Sequence, residues 1–221
     1  MRELARSGLR GYIEHIGAED FFTPELTAHA RLLQYEPGEQ IMAEGDEVRS
    51  LMILVSGAAI ICSLSPEGKL AVIAEAQPPH LLGDIEYLQN RPILHDVHAK
   101  GAATFISVPA DALGGDMESL DFYRLVCRNL MRKLYNTSSA YSRALLYPAK
   151  NRLALYLLEN AADGVVQLKG RAVAGILGIT PRHLSRLLGD FKRSGILKPG
   201  GAKTYILCDP ASLKVLAGEM E

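Results

Sequence analysis

The pattern of the chain changes once, near residue 117, and that change decides most of what it can fold into. Downstream, Tyr123, Cys127, Leu130, Leu134, Thr137, Tyr141 and Ala144 recur at alternating spacings of four and three, with no Gly or Pro between them. A 3.5-residue repeat keeps one seam on one side of an α-helix long enough to pair with a second helix. Phe122, Leu125, Val126 and Met131 add apolar surface beside the seam. The helix is therefore expected to serve two contacts, one with the preceding domain and one with a second copy of the chain through Tyr123, Cys127, Leu130, Leu134, Thr137 and Tyr141. Upstream, after a short helical start, residues 35–108 read as strands and turns rather than helices. YEPGEQI, AEGDE, SGAAIICSLSPEGKLAVIAEA and LLGDIEYL set glycines at 38, 45, 57, 68 and 83 between short apolar or alternating runs. That pattern belongs to a compact antiparallel barrel or roll.

Pro148 ends the long helix, and NRLALYLLEN (151–160) begins another, with room beyond it for two further short helices and a pair of strands. The expected division is 1–116, 117–147 and 148–221. Charge divides at the same place. Residues 149–221 hold eleven Lys/Arg against six Asp/Glu, a net +5, which leaves thirteen against nineteen, a net −6, for the rest of the chain. A basic third joined to an acidic remainder points to a polyanionic partner for one end only. No apolar run approaches the roughly 20 residues needed to span a bilayer, and MRELARSGL is too polar for the core of a signal peptide. A cytoplasmic protein with no membrane partner is expected. Cys62, Cys127 and Cys208 are an odd, widely spaced set without the spacing of zinc or iron–sulfur ligands, and are read as buried free thiols. His95 and His98, three apart on a strand, would face opposite ways, so no metal site is expected.

The stretch GITPRHLSRLL (178–188) carries the chemistry of the basic third. With Gly178 in a tight turn, Arg171–Leu177 forms a short helix before it, and the small Ala174 allows two helices to cross closely. Thr180 suits an N-cap and Pro181 the first helical position. At about 100° per residue Leu184, Leu187, Leu188 and Phe191 gather on one face, while Arg182, Arg186, Gly189 and Arg193 gather on the other. A helix anchored by its apolar face can enter a major groove, where arginine bridges the O6 and N7 acceptors of guanine. His183, Ser185 and Lys192 flank the cationic face. A lone helix of this composition is most often a solvated surface helix. The preceding helix and turn, the +5 balance and the following SGILKPGGAKTYILCD argue otherwise here. The last stretch reads as a β-wing, two apolar runs around a Pro-Gly-Gly turn, with Lys198 and Lys203 placed to meet phosphate. Lys169, Arg182, His183, Ser185, Arg186, Lys192, Arg193 and Lys203 are the candidate contacts to double-stranded DNA.

These residues resemble the Crp/Fnr superfamily of bacterial transcription regulators over nearly the whole chain. YEPGEQIMAEGDE and LMILVSGAAII resemble the family's opening strands, GDIEYL its Gly-Glu motif, and VAGILGITPRHLSRLLGDFKRSGIL its helix-turn-helix without a gap. NRLALYLL with PRHLSRLL resembles a YeiL-like subgroup. The resemblance implies an α+β architecture: an N-terminal antiparallel β-roll of the cyclic-nucleotide-binding type (a double-stranded β-helix), a long dimerisation helix and a C-terminal winged helix-turn-helix. It also implies RNA polymerase as a partner. Arg186 falls on the recognition-helix arginine that contacts bases in many members, whereas Pro181 and Arg182 fall where many have an arginine and a glutamate.

The sensor departs further from the family. Members that bind cyclic nucleotides use Gly-Glu for the ribose and an Arg-Ser/Ala pair for the phosphate. Here Gly83–Asp84 is followed by Ile85 and by Glu86, where a small residue is usual, and Ile93 and Leu94 fall on the Arg-Ser/Ala pair. These six are the expected effector pocket. An added carboxylate and no arginine disfavour cyclic AMP, and no cofactor or named effector follows from the sequence. No G-x-S-x-G, phosphate-binding glycine loop or histidine–carboxylate–metal set points to catalysis. A ligand-sensing module whose winged helix contacts protein is the alternative to a homodimeric DNA-binding regulator.

Overall fold

The computed structural model describes residues 1–64, 70–114, 119–168 and 170–218, apart from the side chains of Ala140 and Arg171. It contains two compact units, divided inside the long helix between Tyr135 and Asn136, with Leu70–Val72 grouped in the second unit. The first begins with β1 (Arg2–Glu3), α1 (Leu9–Ile16) and α2 (Pro24–His29). It continues through β2 (Arg31–Tyr35), β3 (Gln40–Met42), β4 (Ser50–Ser56), β5 (Ala59–Leu64), β6 (Leu70–Ala76) and β7 (His80–Leu82). Then come α3 (Asp84–Gln89), β8 (Asp96–Ala99), β9 (Ala103–Pro109) and the long α4 (Leu120–Leu146).

The strands form two sheets, one ordered β1-β2-β9-β4-β7 and the other β3-β8-β5-β6. Strand β4 shows why the run LMILV is apolar without alternation. Leu51, Ile53 and Val55 face a core shared with Leu9 and Ile13 of α1, Leu26 of α2 and Phe122 and Val126 of α4. Met52 and Leu54, one step out of phase, face a second core with Val97 and Ala99 of the opposite sheet. A central strand covered on both faces has no polar side to display.

The roll holds one helix that the strand-and-turn reading of 35–108 did not contain. The six residues of α3 are bracketed by two left-handed residues, Gly83 at φ 80° and Asn90 at φ 50°. Those turns set a short helix between β7 and β8 where Gly83 marked only a turn in the sequence. The cysteines also differ from expectation. Cys62 is buried, but Cys127 and Cys208 are free and exposed, because one lies on the outward side of α4 and the other just past the end of a strand.

The second unit follows α4 with α5 (Ala149–Glu159), β10 (Val165–Gln167), α6 (Gly170–Ile176), α7 (Pro181–Arg193), β11 (Leu197–Gly201), β12 (Thr204–Leu207) and α8 (Pro210–Gly218). Leu153, Leu157, Val173, Leu184, Leu188, Phe191 and Leu213 close one core. The wing has three strands, ordered β10-β12-β11, rather than the expected pair. Pro199, Gly200 and Gly201 do not make its turn: they run within β11, with a register shift between Pro199 and Gly201, and the turn falls on Ala202 and Lys203. Proline is tolerated there because β11 is an edge strand, where the missing N–H costs no ladder bond.

Candidate nucleic-acid interface and sensor site

Helix α7 is built as its sequence dictates. Gly178 turns the chain at φ 63°. Thr180 is the N-cap, its Oγ1 accepting from the His183 amide at 3.1 Å, and Pro181 is the first helical residue. Leu184, Leu187, Leu188 and Phe191 are buried. Arg182, Ser185, Arg186, Lys192 and Arg193 are exposed, and His183 is half-buried. Among the described residues Arg182 and Arg186 form no ion pair, whereas Arg193 is held by Asp190 one turn earlier. Arg193 therefore contributes less free positive charge than its position on the helical wheel implied. No acidic residue stands in the first turn, so Arg182 presents uncompensated charge at the positive end of the helix dipole. Lys203 sits at the tip of the wing at φ 59°, its carbonyl accepting from the Leu168 amide at 2.8 Å. Lys198 is exposed on β11. Lys169 lies outside the described residues.

On the sensor side, among the described residues, Ile93 and Glu86 fall in two hollows that share Glu47 and Val48. Ile93 is buried and lines a cavity of about 320 Å³ with Leu33, Tyr35, Met42 and Met52. Glu86 lines a different hollow of about 500 Å³ with Glu47, Tyr87, Asn90 and Arg91. Ile85 is 40% exposed and Leu94 62%. Helix α3 turns its residues through about 100° each, and Ile93 and Leu94 lie in the loop between α3 and β8.

Asp84, one of the expected pocket residues, is held by side chains inside the protein. It is fully buried at the start of α3. One carboxylate oxygen accepts from Lys133 Nζ at 2.6 Å and the other from Asn129 Nδ2 at 2.8 Å, both on α4. Asn129 in turn ties down β7: its Oδ1 accepts from the Leu81 amide and its Nδ2 donates to the Leu81 carbonyl, each at 3.1 Å. Arg132 donates to the Pro79 carbonyl and, at 3.2 Å, to Asn129 Oδ1. His80, only 9% exposed, has no partner for Nε2 among the described residues. Burial, with Lys133 and Arg132 nearby, pushes its pKa down to about 4. Sequence reasoning missed this network, although the signal was present: Phe122, Val126, Asn129 and Lys133 form a second stripe at spacings of four, three and four beside the seam. The seam itself stays uncovered, with Tyr123, Cys127, Leu134, Thr137 and Tyr141 exposed and Leu130 half-buried. His95 Nδ1 lies 2.7 Å from Ser63 Oγ, and no cluster able to hold a metal is found among the described residues.

Residues 32–118 match the family described as the cyclic nucleotide-binding domain, and residues 151–216 match the Crp-like helix-turn-helix domain. The regulatory protein YeiL of Escherichia coli O157:H7 is 25% identical over 204 residues, spanning 92% of this chain and 93% of that protein. The chain belongs to the Crp/Fnr superfamily. Another relative is the CRP-like cAMP-activated global transcriptional regulator of Mycobacterium tuberculosis, 22% identical over 221 residues and covering 95% of this chain and 96% of that one. A transcriptional regulator of the CRP family from Thermus thermophilus shares the fold at a TM-score of 0.73 and 22% identity, over 84% of this chain and 96% of its own. As a Crp/Fnr protein the chain carries in its C-terminal third the DNA-binding helix-turn-helix of a transcription regulator, and its relatives are regulators, not enzymes. Among the described residues no helix is long and apolar enough to cross a membrane.

Proposed function

We propose that the chain is a homodimeric, sequence-specific DNA-binding transcription regulator whose sensor domain does not take cyclic AMP. The observation that carries the reading is α7, with four apolar residues sunk in the core and Arg182 and Arg186, without ion-pair partners among the described residues, presented with Ser185 on the exposed side. Arg186 reads a guanine edge. His183, Arg182 and Ser185 flank it, while Lys192, Lys198, Lys203 and Lys169 meet phosphate. Dimerisation runs along the α4 seam, where Leu134 at 68% exposed and Tyr141 at 66% would otherwise stand in water. The functional division is a sensor over 1–116, a dimer helix over 117–147 and a DNA reader over 148–221. The working compartment is the cytoplasm, with RNA polymerase as the partner at the promoter.

Charge is what closes the sensor to cyclic nucleotides. A cyclic phosphate entering the roll must find arginine or several backbone donors, because an unpaired buried ion costs several kcal/mol. At the expected phosphate position stands Ile93, Arg49 on the same cavity is accompanied by the acidic Asp46 and Glu47, and the Asp84 carboxylate is already held by Lys133 and Asn129. One relative is cAMP-activated by name, which makes the contrast testable. A mobility-shift titration over a range of salt checks the DNA reading: log affinity should fall linearly with log salt, whereas a winged helix serving protein contacts would give no shift. Calorimetry at millimolar cyclic AMP or cyclic GMP should register no binding. A micromolar dissociation constant would overturn the sensor reading and make Arg91 the first residue to mutate.

A further inference from the structure

We infer that Arg152 is a positioning residue that sets the angle at which α7 is presented from the C-terminal end of α4. The inference rests on the reading of the chain as a dimeric DNA-binding protein. Arg152 lies in the first turns of α5, and its guanidinium bridges the ends of two other helices. Nη1 donates to the Tyr147 carbonyl at 2.6 Å and the Ala144 carbonyl at 3.2 Å, and Nη2 donates to the Leu177 carbonyl at 2.8 Å. Ala144 is in the last turn of α4, Tyr147 is just past it, and Leu177 is just past α6.

Prolines explain why these carbonyls need an outside donor. The amide that would close the turn on Ala144 belongs to residue 148, and the residue four beyond Leu177 is 181. Both are proline and have no N–H. The Asn151 amide, which could have reached Tyr147, bonds Pro148 instead. The prolines that start α5 and α7 thus leave the ends of α4 and α6 open, and one side chain closes both. Three carbonyls at the negative ends of helices favour a cation. Only the planar fork of arginine spans two directions at once: an ammonium is a single point of charge. Arg152 Nε finds no acceptor among the described residues, so the group keeps its place despite one unmet donor. From Leu177 the chain passes in three residues, through the Gly178 turn and the Thr180 cap, into α7. Whatever fixes Leu177 against Ala144 and Tyr147 therefore fixes where α7 points from the end of the dimer helix.

A dimer reads two half-sites, and the separation it demands reflects the fixed angle of each reader. The test uses the full chain, an operator selected from random duplexes, the same operator with its half-site spacing altered by one base pair, and a single half-site. The wild type should prefer the selected spacing by about tenfold or more. In Arg152→Lys, half-site affinity and dimer mass should hold while the spacing preference drops to about threefold or less. Preserved spacing preference in Arg152→Lys would overturn the inference, as would an equal loss on half-site and operator, which marks a purely structural role. If Arg152→Lys loses its helical circular dichroism, Arg152→Gln, which keeps one amide donor, is put through the same comparison, and the same two results would overturn the inference. A wild type that binds no duplex overturns the DNA-binding reading itself and this inference with it, an outcome distinct from a wild type that binds and a variant that discriminates normally.

Discussion

Replacing Lys133 by methionine strips the charge partner from Asp84 and leaves a fully buried carboxylate with one neutral donor, Asn129, at 2.8 Å. Removing one member of a buried ion pair costs about 3–5 kcal/mol, most of it the penalty of the charge left behind. With the Asn129 bond intact, the lower end, about 3 kcal/mol, is expected. The reverse change, Asp84→Asn, should be milder at about 1 kcal/mol. Lys133 is 21% exposed, and its flexible stem lets the ammonium swing to water. The double variant removes both charges and should cost about 1 kcal/mol, so Asp84→Asn would restore stability in the Lys133→Met background. The coupling is then about 3 kcal/mol. Urea unfolding of the four proteins by far-ultraviolet circular dichroism measures it, with the m-value checked for constancy. Urea is chosen because guanidinium chloride would screen the charges. Two single variants that each lose less than about 1 kcal/mol and add in the double would refute the argument that Asp84 is held as a charge.

His80 makes a second prediction. Its folded pKa of about 4 lies below the ordinary 6.5, so the unfolded chain binds a proton that the native state refuses. Stability should therefore be level above about pH 6.5 and fall by on the order of 3 kcal/mol as the pH drops to about 4. His80→Asn should flatten urea midpoints across that window, and an unchanged slope would remove His80 as the cause. Arg186→Ala should lose about 1–3 kcal/mol and relax preference at one base pair, while Lys203→Ala weakens all duplexes alike and lowers the salt slope. The same uniform loss for both would assign Arg186 to phosphate. Leu134→Asp places a charge on each side of a two-fold seam and should give monomers by sedimentation, and a dimer of unchanged mass would show that pairing lies elsewhere.

The parts of this protein that sequence alone determined are those whose causes lie within a few residues. The Gly178 turn, the Thr180 cap, Pro181 at the first position and the apolar face of α7 each follow from neighbours one to four residues away, and the structure places them where the pattern does. The two-sided character of α4 was legible in part: Phe122 and Val126 turn inward and Leu134 outward as the periodicity placed them, whereas Met131, grouped with Phe122 and Val126 in the sequence, is 63% exposed. The turn of the wing was not legible. Pro-Gly-Gly is a strong local turn signal, yet the register of Leu197 against Leu207 and Pro199 against Tyr205 carries β11 through it and moves the bend to Ala202 and Lys203. Local preference there was overridden by ladder bonds to β12. The sensor's charged residues were legible as types but not as partners. Asp84 meets Asn129 and Lys133, 45 and 49 residues away, and Arg152 reaches Leu177 across 25. Hydrogen bonds and ion pairs between elements depend on which faces the packed cores bring together, and short-range propensity holds no record of that. The sequence therefore determined most of the elements and which way each one faces, and the tertiary structure decided which polar groups hold them together.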